Sequence, residues 1–144
     1  MLQKYIGWFC FLSLVGVAVV HAYWALGGLW PAQTEADLVS TVIGAHSPHM
    51  PPDSLILLIA VLIFTAGCFT FAAGVMGLKS GLFIQLPLTG LAFIFLIRGA
   101  VTYFPFGPFN SAAEPFASLN ALYFSPLILV LAAGFAFLAW AQRN

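Results

Sequence analysis

The sequence predicts an all-α protein, a bundle of four transmembrane helices running up-down-up-down with both termini in the cytoplasm. Three observations lead there. Of 144 residues, 62% are hydrophobic and 6% are charged, against about 25% charged in an ordinary soluble domain. Mean hydropathy is +1.06. Four segments are each long enough to meet the roughly 20 apolar residues a membrane helix needs. Four basic and four acidic side chains cannot coat a water-facing surface. That excludes a soluble enzyme, a disordered tail and a nucleic-acid binder, which needs a dense basic patch. We read one membrane domain, residues 1–144.

The spans are expected at about residues 5–26, 54–78, 82–102 and 119–141. Their lengths exceed a barrel strand and none alternates with period two, so helices are the practical way to satisfy the backbone in lipid. Lys4, an apolar run and Val20-His21-Ala22 resemble a cleavable leader. The run continues through Trp24 to Trp30, so we expect the segment to be retained as span one. Gly77-Leu78-Lys79-Ser80-Gly81 predicts a tight turn between spans two and three. Loop one, Pro31 to Asp53, carries Pro48, Pro51 and Pro52, which block regular structure. Loop three, Tyr103 to Ser118, is rich in Phe, Pro and Gly.

Charge sets the orientation. Lys4, Lys79 and Arg143 fall on one side of a four-span chain; Glu35, Asp37, Asp53 and Glu114 fall on the other. Basic residues mark the cytoplasmic face. Gly67, Thr70, Gly74, Gly77 and Gly81 line one stripe of span two and predict a close helix seam, whether within the chain or between copies. Pro87 and Pro126 are expected to kink spans three and four, with span four starting near Ser118. Cys10 and Cys68 read as two small buried residues at different depths, not as a disulfide. Trp24, Trp30 and Tyr103 suit one interface; Tyr5, Trp8 and Trp140 suit the other.

Depth singles out a polar layer. His21 stands 15 residues above Ile6 and Arg98 stands 16 above Leu82, both roughly 22–24 Å up from the cytoplasmic side. Asn120 and Tyr123 begin span four at a similar level, with Glu114 just before it. An Arg in hydrocarbon costs about 2.5–3.5 kcal/mol at a helix centre and less near an end. It should find a partner, Glu114 first and Asp53 second. His21, Arg98, Glu114, Asn120 and Tyr123 are therefore the candidate ligand-binding residues. The opposing reading is packing and snorkelling alone. His46-Ser47-Pro48-His49-Met50, with Asp53 beyond, could offer imidazoles and a carboxylate to copper or zinc, but the spacing on a Pro-rich loop is weak. We expect no metal and no cofactor. Haem attachment, phosphate-loop, nucleophile-elbow and metalloprotease motifs are absent.

His21-Ala22-Tyr23-Trp24-Ala25-Leu26-Gly27-Gly28-Leu29-Trp30 closes span one, Phe95-Leu96-Ile97-Arg98 ends span three, and Ser118-Leu119-Asn120-Ala121-Leu122-Tyr123-Phe124-Ser125-Pro126-Leu127 opens span four. The chain resembles an uncharacterised bacterial four-helix membrane family, known only as a domain of unknown function, with an H-x-Y-W-A-L-G-G-x-W motif. That family also shows an Arg ending span three and an R-L-D/N-x-x-x-Y-S-P-L segment. Here Ser118 stands where the family has Arg, and Phe124 departs from the Tyr-Ser-Pro run. The first difference removes one of two basic groups and weakens an anion site. The resemblance implies the fold and a bacterial cytoplasmic (inner) membrane, and it carries no activity.

Two functions are then in competition. The first is an integral membrane binding or interaction protein, a small accessory subunit or lipid-binding protein, in contact with the bilayer and with a membrane-protein partner or its own copies, and with no nucleic acid. A Gly-rich seam and Phe104, Phe106, Phe109 and Phe116 near one interface support it. The alternative is a membrane enzyme on a lipid-like substrate, with His21 as acid or base, Arg98 on an anionic headgroup and Glu114 orienting one of them.

Overall fold

The computed structural model describes residues 1–79 and 81–143. The described residues are helical or irregular, with no strand: α1 (Leu2–Ala25), α2 (Glu35–Val42), α3 (Asp53–Val75), α4 (Leu82–Tyr103) and α5 (Phe116–Ala141). All but α2 are long and apolar enough to cross a membrane, the make-up of a multi-pass membrane protein. Their ends lie within three residues of the predicted spans.

The short helix α2 corrects the reading of loop one as irregular. Prolines 48, 51 and 52 do stay outside helix, but residues 35–42 precede them. Thr34 caps the helix: its hydroxyl oxygen accepts from the Asp37 amide at 3.2 Å and its proton goes to Asp37 Oδ2 at 2.7 Å. Glu35 and Asp37 sit in the first turn, where the helix dipole favours acids. The helix buries Leu38 and Val39. Ala113 N–H donates to the Gly44 carbonyl at 2.8 Å, so loop one and loop three close over the same end of the molecule.

Two helix pairs dominate, α1 with α3 and α4 with α5. Apolar side chains gain nothing by leaving lipid for protein, so close backbone approach must hold such pairs. Gly7, early in α1, meets Gly74, late in α3. A Cβ added to Gly7 would stand 2.7 Å from Gly74 Cα, and one on Gly74 would stand 2.5 Å from Gly7 Cα. Gly67 packs on Phe11 and Leu14, and buried Thr70 returns its hydroxyl to the Gly67 carbonyl at 2.7 Å. The small-residue stripe therefore serves a seam inside this chain. Gly77 and Gly81 leave that seam; both have positive φ, +66° and +52°, and shape the turn before α4. Ser80, named in the predicted turn, lies outside the described residues.

In the second pair Leu129 covers Gly99 and Phe95 meets Phe135 edge-on at 5.0 Å. Ile6, Ala73, Ile84, Leu138 and Ala139 form one cluster. The start of α1, the end of α3, the start of α4 and the end of α5 thus share one end of the molecule. Cys10 is buried, but Cys68 is exposed, which corrects the expectation that both are interior. Its side of α3 faces away from the α1 seam.

Both seams contain a π turn. In α3 it covers Phe71–Val75, where Met76 N–H reaches the Phe71 carbonyl at 3.0 Å. In α5 it covers Asn120–Phe124, and Ser125 N–H bonds Asn120 O, five residues back. Pro126 follows directly, near the start of the last α-helical stretch, Ser125–Ala141. Span four is a continuous helix from Phe116, close to the expected start near Ser118, and a widened turn just before Pro126 absorbs the missing donor. Pro87 lies inside α4, which continues through it.

The Gly7–Gly74 contact predicts the cost of filling it. Gly7→Ala should lower unfolding stability in detergent by about 1–3 kcal/mol, the usual range for overpacking. Gly16→Ala, with nothing within 4 Å of its new Cβ, should leave stability unchanged or raise it by up to about 1 kcal/mol through helix propensity. Equal effects of the two substitutions in a thermal melt would contradict the seam.

Candidate functional site

The sequence-predicted layer is divided by the structure. Arg98 and Asn120 come together. Arg98 Nη2 donates to Asn120 Oδ1 at 3.2 Å, and Nη1 makes a long contact of 3.5 Å with Thr102 Oγ1. Asn120 Nδ2 donates to Thr102 Oγ1 at 3.0 Å. Ser125 Oγ lies 2.7 Å from Thr102 Oγ1 and 3.2 Å from Asn120 Oδ1. Its single proton serves one of them at a time. Asn120 and Ser125 are fully buried. The Arg98 guanidinium carbon stands 4.2 Å over the centre of the Phe109 ring, within cation–π range.

The ion pair expected of Arg98 with Glu114 or Asp53 is not formed. Among the described residues, the ion pair present is His49 with Glu35. Glu114 instead accepts from the Ser118 amide at 3.2 Å and the Ser118 hydroxyl at 3.1 Å. The carboxylate is thereby committed to the first turn of α5, where backbone N–H groups lack helical partners. Arg98 is left half-buried with neutral acceptors and an aromatic face.

His21 and Tyr123 also stand apart from this network. The His21 ring donates from Nδ1 to the Val17 carbonyl of its own helix at 2.9 Å and lies 5.1 Å from the Trp24 ring. Tyr123 is 65% exposed. The segment from His21 to Trp30 is a self-locking helix end. Trp24 Nε1 donates to the Trp30 carbonyl at 2.8 Å, and Gly28 N–H returns to Tyr23 O at 2.9 Å. Gly27 has φ +86°, and a Cβ on Gly28 would run into the Tyr23 ring. The glycine pair and both tryptophans thus have a structural task in ending α1.

Thr102, Tyr103, Phe109 and Ser125 were missed as site residues. Thr102 carries a legible signal, since it lies four residues after Arg98 on one helical face. Tyr103 has a defined role. The Ala121 carbonyl would bond Ser125 N–H in α register, but that amide goes to Asn120; in π register its partner would be Pro126, which has no N–H. Tyr103 Oη donates to it at 2.8 Å.

The second cluster also takes a different form from a metal site. His49 Nδ1 lies 3.5 Å from Glu35 Oε2, and Ser47 Oγ accepts from the His49 amide at 3.3 Å. No three of His, Cys, Asp and Glu gather among the described residues. Glu35 Oε1 accepts the Met50 amide at 2.6 Å. That bond chiefly holds the Glu35 carboxyl below its ordinary pKa; desolvation opposes it, and the hydrogen bond and charge of His49 add lesser contributions in the same downward direction.

Two outcomes follow. Tyr103→Phe removes the donor to the Ala121 carbonyl and should cost about 0.5–1.5 kcal/mol, the net worth of one hydrogen bond; a thermal melt within error of wild type would refute the role given to Tyr103. At Glu35 the folded pKa is lower than the unfolded one, so its stabilisation of the loop is complete above the unfolded value of about 4.3 and disappears as pH falls through the folded value. Amide exchange at Met50 should accelerate over that acidic window, beyond the intrinsic pH dependence of exchange, and Glu35→Gln should abolish the extra dependence.

No curated protein and no solved structure matches the chain. A family model described as "Protein of unknown function (DUF3995)" matches residues 14–135, a stretch that includes Arg98, Thr102, Asn120 and Ser125, and the chain belongs to that family.

Proposed function

We propose that this protein is an integral membrane lipid-binding protein, a four-helix bundle running up-down-up-down, in which Arg98 receives the phosphate of an outer-leaflet lipid headgroup. The observation that carries the reading is a half-buried guanidinium with no carboxylate partner among the described residues. Asn120, Thr102 and Phe109 hold it in place without neutralising it. A guanidinium has more N–H donors than these two hydrogen bonds use, and its planar fork suits a phosphate. The buried polar support is already assembled, which lowers the ordering cost of binding.

The setting agrees with this role. Lys4, Lys79 and Arg143 belong to one end and Glu35, Asp37, Asp53 and Glu114 to the other, so the positive-inside rule puts both termini in the cytoplasm and Arg98 toward the far leaflet. A bacterial cytoplasmic membrane is the location this reading gives it. Exposed Phe104 and Phe106, on the loop that also carries Phe109, supply an apolar rim beside the guanidinium, suited to acyl chains or to a membrane partner. The enzyme alternative finds less support: His21, Arg98 and Glu114 share no hydrogen bond, and each has a separate local partner.

The test is photo-crosslinking in vesicles with a phospholipid carrying a photoreactive headgroup. Wild type should be labelled between residues 98 and 120. Loss of a charge-assisted hydrogen bond costs about 1.5–3 kcal/mol, so Arg98→Gln should reduce that labelling about tenfold or more, and Arg98→Lys should retain part of it. Undiminished labelling in a folded Arg98→Gln protein would overturn the proposal.

A further inference from the structure

A second lipid-sized feature lies at the opposite end of the α4–α5 pair. A trough of about 440 Å³ runs along their exposed side between Phe93 and Leu96 of α4 and Leu129, Ala133 and Ala136 of α5. A recess of about 210 Å³, reaching Gln85, Trp140 and Arg143, shares Thr89, Ala92 and Ala136 with it. The two form one channel. Small side chains open it: alanines at 92, 132, 133 and 136 leave the space that larger residues would fill. Leu129, seated over Gly99, closes its far end.

Its two ends differ in chemistry. The trough is apolar, whereas the recess ends at a cation. With the Gln85 amide oxygen turned toward Arg143, it accepts from Nε at 2.6 Å and from Nη2 at 3.2 Å. That contact fixes one edge of the guanidinium and leaves its Nη1 side available to an anion. Among the described residues no carboxylate pairs with Arg143. Trp140 is exposed beside it, in the kind of position aromatic side chains take at headgroup level.

The channel's length matches one leaflet. From Leu129 to Trp140 is 11 residues, about 16 Å at the α-helical rise, and half of a ~30 Å hydrocarbon core is about 15 Å. An occupant therefore needs an apolar chain one leaflet long and a negative group at its end. We infer that the α4–α5 channel is a binding site for an anionic phospholipid of the cytoplasmic leaflet, its acyl chain in the alanine-lined trough and its phosphate on Arg143. Charge disfavours a second copy as occupant. Copies inserted in the same orientation bring their acids to the opposite end, since Glu35, Asp37 and Glu114 lie in the loops there and Asp53 opens α3 from that side.

The full-length protein, purified in detergent and stripped of lipid, should be titrated with phosphatidylglycerol and separately with phosphatidylcholine under native mass spectrometry. A phosphatidylglycerol carrying a diazirine in its acyl chain then maps contacts in vesicles. Wild type should bind phosphatidylglycerol about tenfold more tightly, with acyl labels concentrated at residues 89–96 and 129–136. Arg143→Gln should remove the headgroup preference. Ala136→Leu, at an exposed position that fills the trough, should remove the concentrated labelling while the protein still melts as wild type. Arg98→Gln should leave labelling here intact, so failure at either site is read separately. The inference is overturned by labels spread evenly over all lipid-facing helices, by an Arg143→Gln protein with unaltered preference, or by an Ala133→Cys protein, with the exposed Cys68 replaced by Ser, that cross-links to its own copy while lipid labelling is absent.

Discussion

A backbone carbonyl that loses its helical partner must find another donor, and that constraint organises this molecule. Two carbonyls lose their helical partner, that of Ala121 at the π turn before Pro126 and that of Ala73 in the last turn of α3, and a side chain from a neighbouring helix answers each. Gln3 of α1 donates to Ala73 O of α3 at 2.7 Å, and Tyr103 of α4 donates to Ala121 O of α5. These bonds are directional, unlike the apolar contacts around them, which exchange protein for lipid at little gain. They therefore fix which helices pair and in what register. Gly7 and Gly74 allow the first pair to come close enough for Gln3 to reach. Gly99 under Leu129 does the same for the second.

The π turn in α5 also assembles the polar site. In a regular α-helix, residues five apart point about 140° away from each other. Ser125 would then face away from Asn120. The extra residue in the Asn120–Phe124 turn brings it back, within 3.2 Å of Asn120 Oδ1. One local distortion accommodates Pro126, presents an otherwise orphaned carbonyl to Tyr103, and closes the Asn120–Thr102–Ser125 network on which Arg98 rests. π turns are frequent at functional positions because they re-aim side chains in this way.

Hydropathy and length made the four spans legible, since a bilayer leaves few alternatives for an uninterrupted apolar run. Depth counting also brought Arg98 to the level of Asn120, because rise per residue is fixed along any helix. It could not give rotation about each helix axis, and there the reading failed. His21 shares the depth but bonds its own helix, and Glu114 is spent on Ser118. Rotation depends on which small residues meet and on where a helix changes register. Gly7 offered no pattern on its own; it matters only because Gly74 lies opposite. Pro126 was visible, but a proline in a span is compatible with a kink, a cap or a π turn, and only the donor from Tyr103 decides among them. α2 could have been found from Thr34 and Asp37, whose spacing is that of a helix cap.

The two arginines at the ends of the α4–α5 pair follow one physical solution. Arg98 rests on the side-chain amide oxygen of Asn120, and Arg143 on that of Gln85. An amide oxygen satisfies a guanidinium N–H and restricts its orientation, yet leaves the full charge in place. A carboxylate in either position would cancel the charge and make a structural ion pair of limited use to a ligand. The four acids of this chain are committed elsewhere or stand in loops: Glu114 to Ser118, Glu35 to the Met50 amide, Asp37 to Thr34, and Asp53 at the start of α3. On the proposed lipid-binding reading, two cations oriented by neutral partners at opposite ends of one helix pair would place positive potential where lipid phosphates lie. On that reading the distribution joins the polar network and the alanine-lined channel into a single proposed lipid-binding surface.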